Sequence, residues 1–292
     1  MHHSDAPPTS PHTPEAFSAH GFKMLEDMAE ELSGDLVFPI CFEISVSLRR
    51  IADDPVPNAG RLLALISADP LVCLKILRLA NAVASREGAP AVRDPGGAIA
   101  LVGADRIAVW ASRIAARQLL AARSMVDFVD HSEHLWRHSL TAACAAQVLA
   151  EKMTRLDPAE AMVAALAHDI GAFYMLYRAV QYPALRGNHD LVLPLVMQWH
   201  EDIGTSVLES LRAPRHFVEA IAHHDLPRAQ PDTPRTLGDV VYMANLLAGG
   251  QPEWQQFEGE PAPLRHEKPA QAYLRLMPEI EARVSALRAA VA

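Results

Sequence analysis

From about residue 22 onward, apolar residues recur at helical spacing through nearly the whole chain, and runs of alternating Val, Ile and Thr are absent. A sequence with that one period predicts an all-α fold. Helix starts are legible at three places where a capping residue precedes proline: Asp69-Pro70, Asp157-Pro158 with Glu160 as a capping-box acid, and Thr233-Pro234. The segment from Leu71 to Ala82 is apolar around most of its circumference, which places it in the middle of a helical bundle. Further helices are expected at Ala104 to Ala122, Ser139 to Met153, Asp157 to Ala167, Pro194 to Leu211, Pro214 to His224 and Pro234 to Ala248.

The remaining segments suggest the division of the chain. Residues 1–20 carry Pro7, Pro8, Pro11 and Pro14 among polar residues and are expected to form a disordered tail. A first helical subdomain is expected over 21–125 and a second over 126–250, with a hinge near 122–133 where Asp127, Asp130, His131, Ser132 and Glu133 gather. Residues 251–292 are read as a Pro-rich linker and a C-terminal amphipathic helix that Pro278 kinks or divides. The stripe Tyr273, Leu274, Leu276, Ile280, Val284 and Leu287 is expected either to pack on its own domain or to join a second copy, so a homodimer is one candidate assembly.

Composition narrows the function classes. With Lys+Arg 26 against Asp+Glu 35, the net charge of −9 opposes nonspecific attraction to phosphate backbones, and no nucleic-acid partner is expected. Apolar runs such as Ala161 to Ala167 fall short of a membrane span and the N-terminus is not a signal peptide, so the expectation is a cytoplasmic protein without membrane contact. Cys41, Cys73 and Cys144 are distant from one another and read as core thiols.

The histidines carry the chemical signal. Nine of the 14 lie between residues 131 and 224. His138 stands in Trp136-Arg137-His138-Ser139, His168 and Asp169 precede Ile170-Gly171, His200 stands in Trp199-His200-Glu201-Asp202, and His223-His224 precedes Asp225. Neutral imidazoles and a carboxylate delivered from separate helices suit one or two divalent transition ions, with Mn, Fe, Zn and Ni as candidates. A metal-bound hydroxide is the nucleophile such a site offers.

Taken in order, Asp69-Pro70 through Leu79-Ala80-Asn81, Ala98-Ile99-Ala100-Leu101-Val102-Gly103, Trp136-Arg137-His138-Ser139, His168-Asp169-Ile170-Gly171, His200 to Gly204 and Ala220 to His224 resemble the HDOD family, the HD-related output domains of bacterial signalling proteins. The resemblance covers about residues 35 to 248. It implies two packed helical subdomains, the second HD-domain-like. Carried over by position, the ligand set of the related HD and HD-GYP phosphohydrolases falls on His138, His168, Asp169, His200, His223 and His224, with Asn245 where a last Asp is expected.

The departures from that pattern point away from turnover. Asn245 lacks the charge of an Asp, Ala172 stands where HD-GYP enzymes place a phosphate-binding Lys, and no Gly-Tyr-Pro element follows His224. The expected function is therefore a non-catalytic signalling output or scaffold domain with a vestigial site, acting on a signalling protein partner and on a small nucleotide as candidate ligand. The alternative is a metal-dependent phosphohydrolase acting on a nucleotide or related phosphate ester. Trp136, Trp199 and Asn245 are candidate pocket-lining residues. Glu201 and Asp202 read as general-base candidates or exposed acids, Arg106, Arg113 and Arg117 as a solvated helix face, and His189-Asp190 as a surface turn.

Overall fold

The computed structural model describes residues 14–32, 34–54, 56–249 and 268–292, and every regular element within them is a helix. After α1 (Pro14–Glu31), the first half comprises α2 (Phe42–Ile51), α3 (Ala59–Ile66), α4 (Pro70–Glu87), α5 (Pro95–Val102) and α6 (Ala104–Ala122). A 3-10 turn at Met125–Phe128 leads into α7 (Val129–Met153), α8 (Pro158–Leu166), α9 (Ile170–Ala179), α10 (His189–Ser210), α11 (Arg215–Ile221) and α12 (Leu237–Leu247). The chain ends in α13 (Gln271–Leu274) and α14 (Met277–Val291).

The central helix α4 forms as its sequence dictates. Asp69 caps it by accepting from the Val72 amide at 2.9 Å, Pro70 supplies the first helical residue, and Gly88 closes it in the left-handed conformation at φ 68°. Leu71, Val72, Cys73, Leu74, Ile76 and Leu77 are all buried, each large aliphatic contributing roughly 1.5–3 kcal/mol. Behind the cap, Gln118 of α6 donates from Nε2 to Asp69 Oδ2 at 3.1 Å and to the Phe38 carbonyl at 3.3 Å, while Ser45 donates to Gln118 Oε1 at 3.3 Å.

One hydrophobic core runs through both halves. Across the seam, Trp136 Nε1 of α7 donates to the Ala68 carbonyl at 2.8 Å and the Ser132 hydroxyl to the Ile40 carbonyl at 3.2 Å. The helix α1 packs on α9 and α10 of the second half, with Met24 and Met28 fully buried and the Arg178 guanidinium paired to Glu31.

Several boundaries differ from expectation for physical reasons. Residues 14–20 are helical, not part of a tail; residues 1–13 and the proposed linker at 250–267 lie outside the described residues. The helix expected from Ser139 starts ten residues earlier, at Val129: of the polar residues assigned to a hinge, Asp130 and Glu133 lie on its exposed face while Ser132 turns inward. The caps of α12 are Thr236 and Asp239, which form a reciprocal capping box, and not Thr233-Pro234. His189 and Asp190 open α10 and are not a surface turn; the His189 ring lies 4.9 Å from that of Phe128 and 4.7 Å from that of His131. Pro278 divides α13 from α14, as expected, and all three cysteines are buried and unpaired. The stretch Pro158–Ala179 meets the length and apolarity of a membrane span, yet most of it is buried within the fold.

Candidate metal centre

The site forms where four elements of the second half point their histidines at one carboxylate. His138 comes from the third turn of α7, His168 and Asp169 from the turn between α8 and α9, His200 from the middle of α10 and His224 from just beyond α11. His168 is fully buried and His138, the most open of the set, is 8% exposed. Asp169 lies at the centre. Its Oδ2 is 3.2 Å from His168 Nε2 and 3.7 Å from His138 Nε2, while Oδ1 is 3.2 Å from His224 Nε2 and 3.6 Å from His200 Nε2.

The outer nitrogens set the tautomers. His168 Nδ1 donates to the Ala165 carbonyl at 2.7 Å, His200 Nδ1 to the Val196 carbonyl at 2.9 Å and His224 Nδ1 to the Ile221 carbonyl at 2.7 Å. In the neutral ring this leaves each Nε2 as a lone pair aimed at Asp169, the form in which histidine ligates a metal. His200 Nε2 and His224 Nε2 face each other at 3.3 Å, and two lone pairs at that distance require a proton or a cation between them. The donor set therefore fits a divalent transition ion. His138, His168, Asp169, His200 and His224 would hold one or two such ions, whose chemistry there would be Lewis-acid polarisation and activation of water.

Charge is balanced within the cluster. Burial opposes charge on His168, His200 and His224, yet the neighbouring carboxylates outweigh it and all three are raised above the usual imidazole range. Burial likewise penalises Asp169, but His168 and His224 hold its carboxyl well below the ordinary value. Only His138 yields to burial, falling to about 4 despite the attraction of Asp169.

His223 does not join the site. Its backbone is left-handed at φ 58°, and its side chain is 70% exposed, 4.0 Å from Glu201. That turn sends His224 inward, and adjacent residues on such a turn do not share a direction. Asp225, which the sequence reading passed over, takes the empty place, with Oδ2 3.1 Å from His200 Nε2. Glu201 is half-buried, and its Oε1 accepts the Asp225 amide at 2.6 Å; Asp202 is exposed. The signal available for Asp225 was an acid directly following a tandem His.

Asn245 of α12 sits at the edge of the cluster. Its Oδ1 is 2.9 Å from His138 Nε2 and its Nδ2 donates to Asp225 Oδ1 at 2.9 Å. Trp136 has committed its indole N–H to Ala68, so it binds the two halves together, and Trp199 is half-buried against the core. Ala172 is 1% exposed on α9 and offers no cationic group.

The helical fold and the His-Asp cluster define an HD-related protein. The HDOD domain profile matches residues 38–227, and the chain belongs to the HDOD family. Comparison with curated proteins found no match. Among solved structures, it resembles the MmoQ response regulator of Methylococcus capsulatus str. Bath, at 21% identity and a TM-score of 0.57, covering 73% of this chain and 86% of that one. It is also similar to an HDOD domain protein of Geobacter sulfurreducens, at 16% identity over 94% of this chain and 97% of that one, with a TM-score of 0.36. At 21% identity the likeness to MmoQ concerns the fold alone.

Proposed function

We propose that the protein is a signalling output module that works by binding, and that its HD-like pocket holds a divalent transition metal without hydrolysing phosphate esters. A signalling protein is the partner in this reading, and a small nucleotide the candidate ligand. The carrying observation is Asn245. The position of a charged ligand is filled by a neutral amide whose two ends are already engaged by His138 and Asp225. Ala172 adds to it, since a phosphate next to α9 would find a methyl group and no cation. The fold shared with the MmoQ response regulator supports an output role.

A second reading, metal-dependent hydrolysis of a nucleotide or related phosphate ester, is favoured by one observation: three buried histidines present ligand-ready Nε2 atoms to a shared carboxylate. The two readings separate in one assay. The purified full-length protein, its metal measured by mass spectrometry, is offered a panel of nucleotides and cyclic dinucleotides beside its His168→Ala variant. The proposal expects bound metal and equal, background hydrolysis in both proteins. Turnover by the wild type that disappears in His168→Ala would establish the enzyme instead.

A further inference from the structure

The cluster around Asp169 is not symmetric, and the asymmetry assigns unequal tasks to its two sides. On one side stand His138 and His168 with Asp169 Oδ2 and the neutral Asn245 Oδ1. His138 has no backbone carbonyl fixing its tautomer as the other three histidines have, and its Nε2 lies 2.9 Å from Asn245 Oδ1 and 3.2 Å from His168 Nε2. A proton on His138 Nε2 satisfies both of those acceptors at once. This side thus offers a cation a single carboxylate oxygen and a neutral amide.

The other side gathers more negative charge. His200 Nε2, His224 Nε2, Asp169 Oδ1 and Asp225 Oδ2 meet there, the separations from His200 Nε2 being 3.3, 3.6 and 3.1 Å in that order. Both imidazoles spend their Nδ1 protons on backbone carbonyls. Two imidazoles and an oxygen from each of two carboxylates converge there, so this side carries one carboxylate more than the side of His138, His168 and Asn245. Asp225 is held in place from behind, its amide by Glu201 and its second oxygen by Asn245 Nδ2. The negative charge missing at position 245 is thus present at position 225, on the opposite side of Asp169.

We propose that the tight cation site of this chain is His200, His224, Asp169 and Asp225, which takes one divalent transition ion, while the side formed by His138, His168 and Asn245 binds a second ion only weakly. The inference rests on the reading of the pocket as metal-holding given above, and it adds how many ions are held tightly, by which residues, and why one ion is retained where two would be needed for a two-metal displacement. Asp225 is the residue that decides it. Glu201 is a positioning residue that acts through the Asp225 backbone.

The test is Mn(II) titration of the chelator-stripped full-length protein, with free Mn(II) followed by electron paramagnetic resonance and folding checked by circular dichroism. The wild type is expected to bind one ion tightly and a second at least roughly tenfold more weakly. Asp225→Asn, which keeps the shape and the contact to Asn245, should remove the tight event. Asn245→Asp should tighten the weak event and give two ions per chain, and this gain decides the matter even if Asp225→Asn fails to fold. His138→Ala should leave the tight event in place. Two equal sites in the wild type, or a tight event that survives Asp225→Asn and vanishes in His138→Ala, would overturn the assignment while leaving the metal-holding pocket intact. A folded wild type that binds no Mn(II) or Zn(II) at all overturns both.

Discussion

Asp69 is a carboxylate without any exposed surface, and desolvation raises it from 3.8 to about 6 despite the amide of Val72 and the Gln118 side chain. Between those two pH values the native state holds more protons than the unfolded chain, so stability falls as pH rises from about 4 to about 6. At neutral pH the buried charge costs about 3 kcal/mol relative to acid. Asparagine caps helices as well as aspartate does, so Asp69→Asn should keep α4 intact and remove that slope. Urea unfolding of both proteins at several pH values checks it: their difference should widen from pH 4 to pH 7, and parallel curves would show that Asp69 is charged at no cost. The same scale shows what the sequence could and could not disclose about the cluster. His168 and Asp169 were legible because an apolar helix ends on them. His223 and Asp225 were misread, because the left-handed turn at φ 58° exchanges their places and the acid after the tandem His was the one mark it left.

At the scale of elements, α9 and α10 carry Asp169 and His200 to each other, and their closeness depends on one glycine. A Cβ on Gly171 would run into the carbonyl oxygen of His200 and the amide nitrogen of Gly204, both backbone atoms that have no rotamer to yield. Gly171→Ala should therefore cost roughly 1–3 kcal/mol or more and weaken metal binding, since α10 must move outward with His200. Gly204 is the control. A Cβ there meets Gly171 N at 3.5 Å and Ile221 Cδ1 at 3.6 Å, ordinary contacts, so Gly204→Ala should be neutral or stabilise by up to about 1 kcal/mol. Thermal melts with metal content measured on each variant test the pair, and equal losses in both would show that the close crossing does not matter. Of the elements themselves, α4 and α8 were legible from their Asp-Pro starts, whereas α5, which Asp94-Pro95 opens in the same way, was not read as a helix. The short α9 was not, because its residues are buried almost all round and carry no amphipathic period; Ile170 to Leu176 are all core.

For the whole molecule, the last helix closes the seam between the halves. α14 lies on α7 and α3, burying Ile280 and Val291, and Arg283 pairs with Glu151 at 2.8 Å while Lys152 reaches Glu279 at 3.1 Å. Of the apolar stripe, Tyr273 and Ile280 are buried by their own chain, Leu276, Val284 and Leu287 are half-buried and Leu274 is exposed. Deleting residues 277–292 should lower the melting temperature by several degrees, at roughly 2–4 °C per kcal/mol for a chain of this size, and leave the number of bound ions unchanged. Calorimetry reads the first and mass spectrometry the second, and an unaltered melting temperature would show that the helix adds nothing to the fold. The stripe was visible in the sequence, but its covering surface was not, because α3 and α14 are separated by most of the chain. The seam bonds from Trp136 to Ala68 and from Ser132 to Ile40 carry a last consequence. A recombination breakpoint between residues 123 and 128 would part an indole and a hydroxyl from the carbonyls they bond, so a foreign half is accepted only if its backbone returns carbonyls to the same two places.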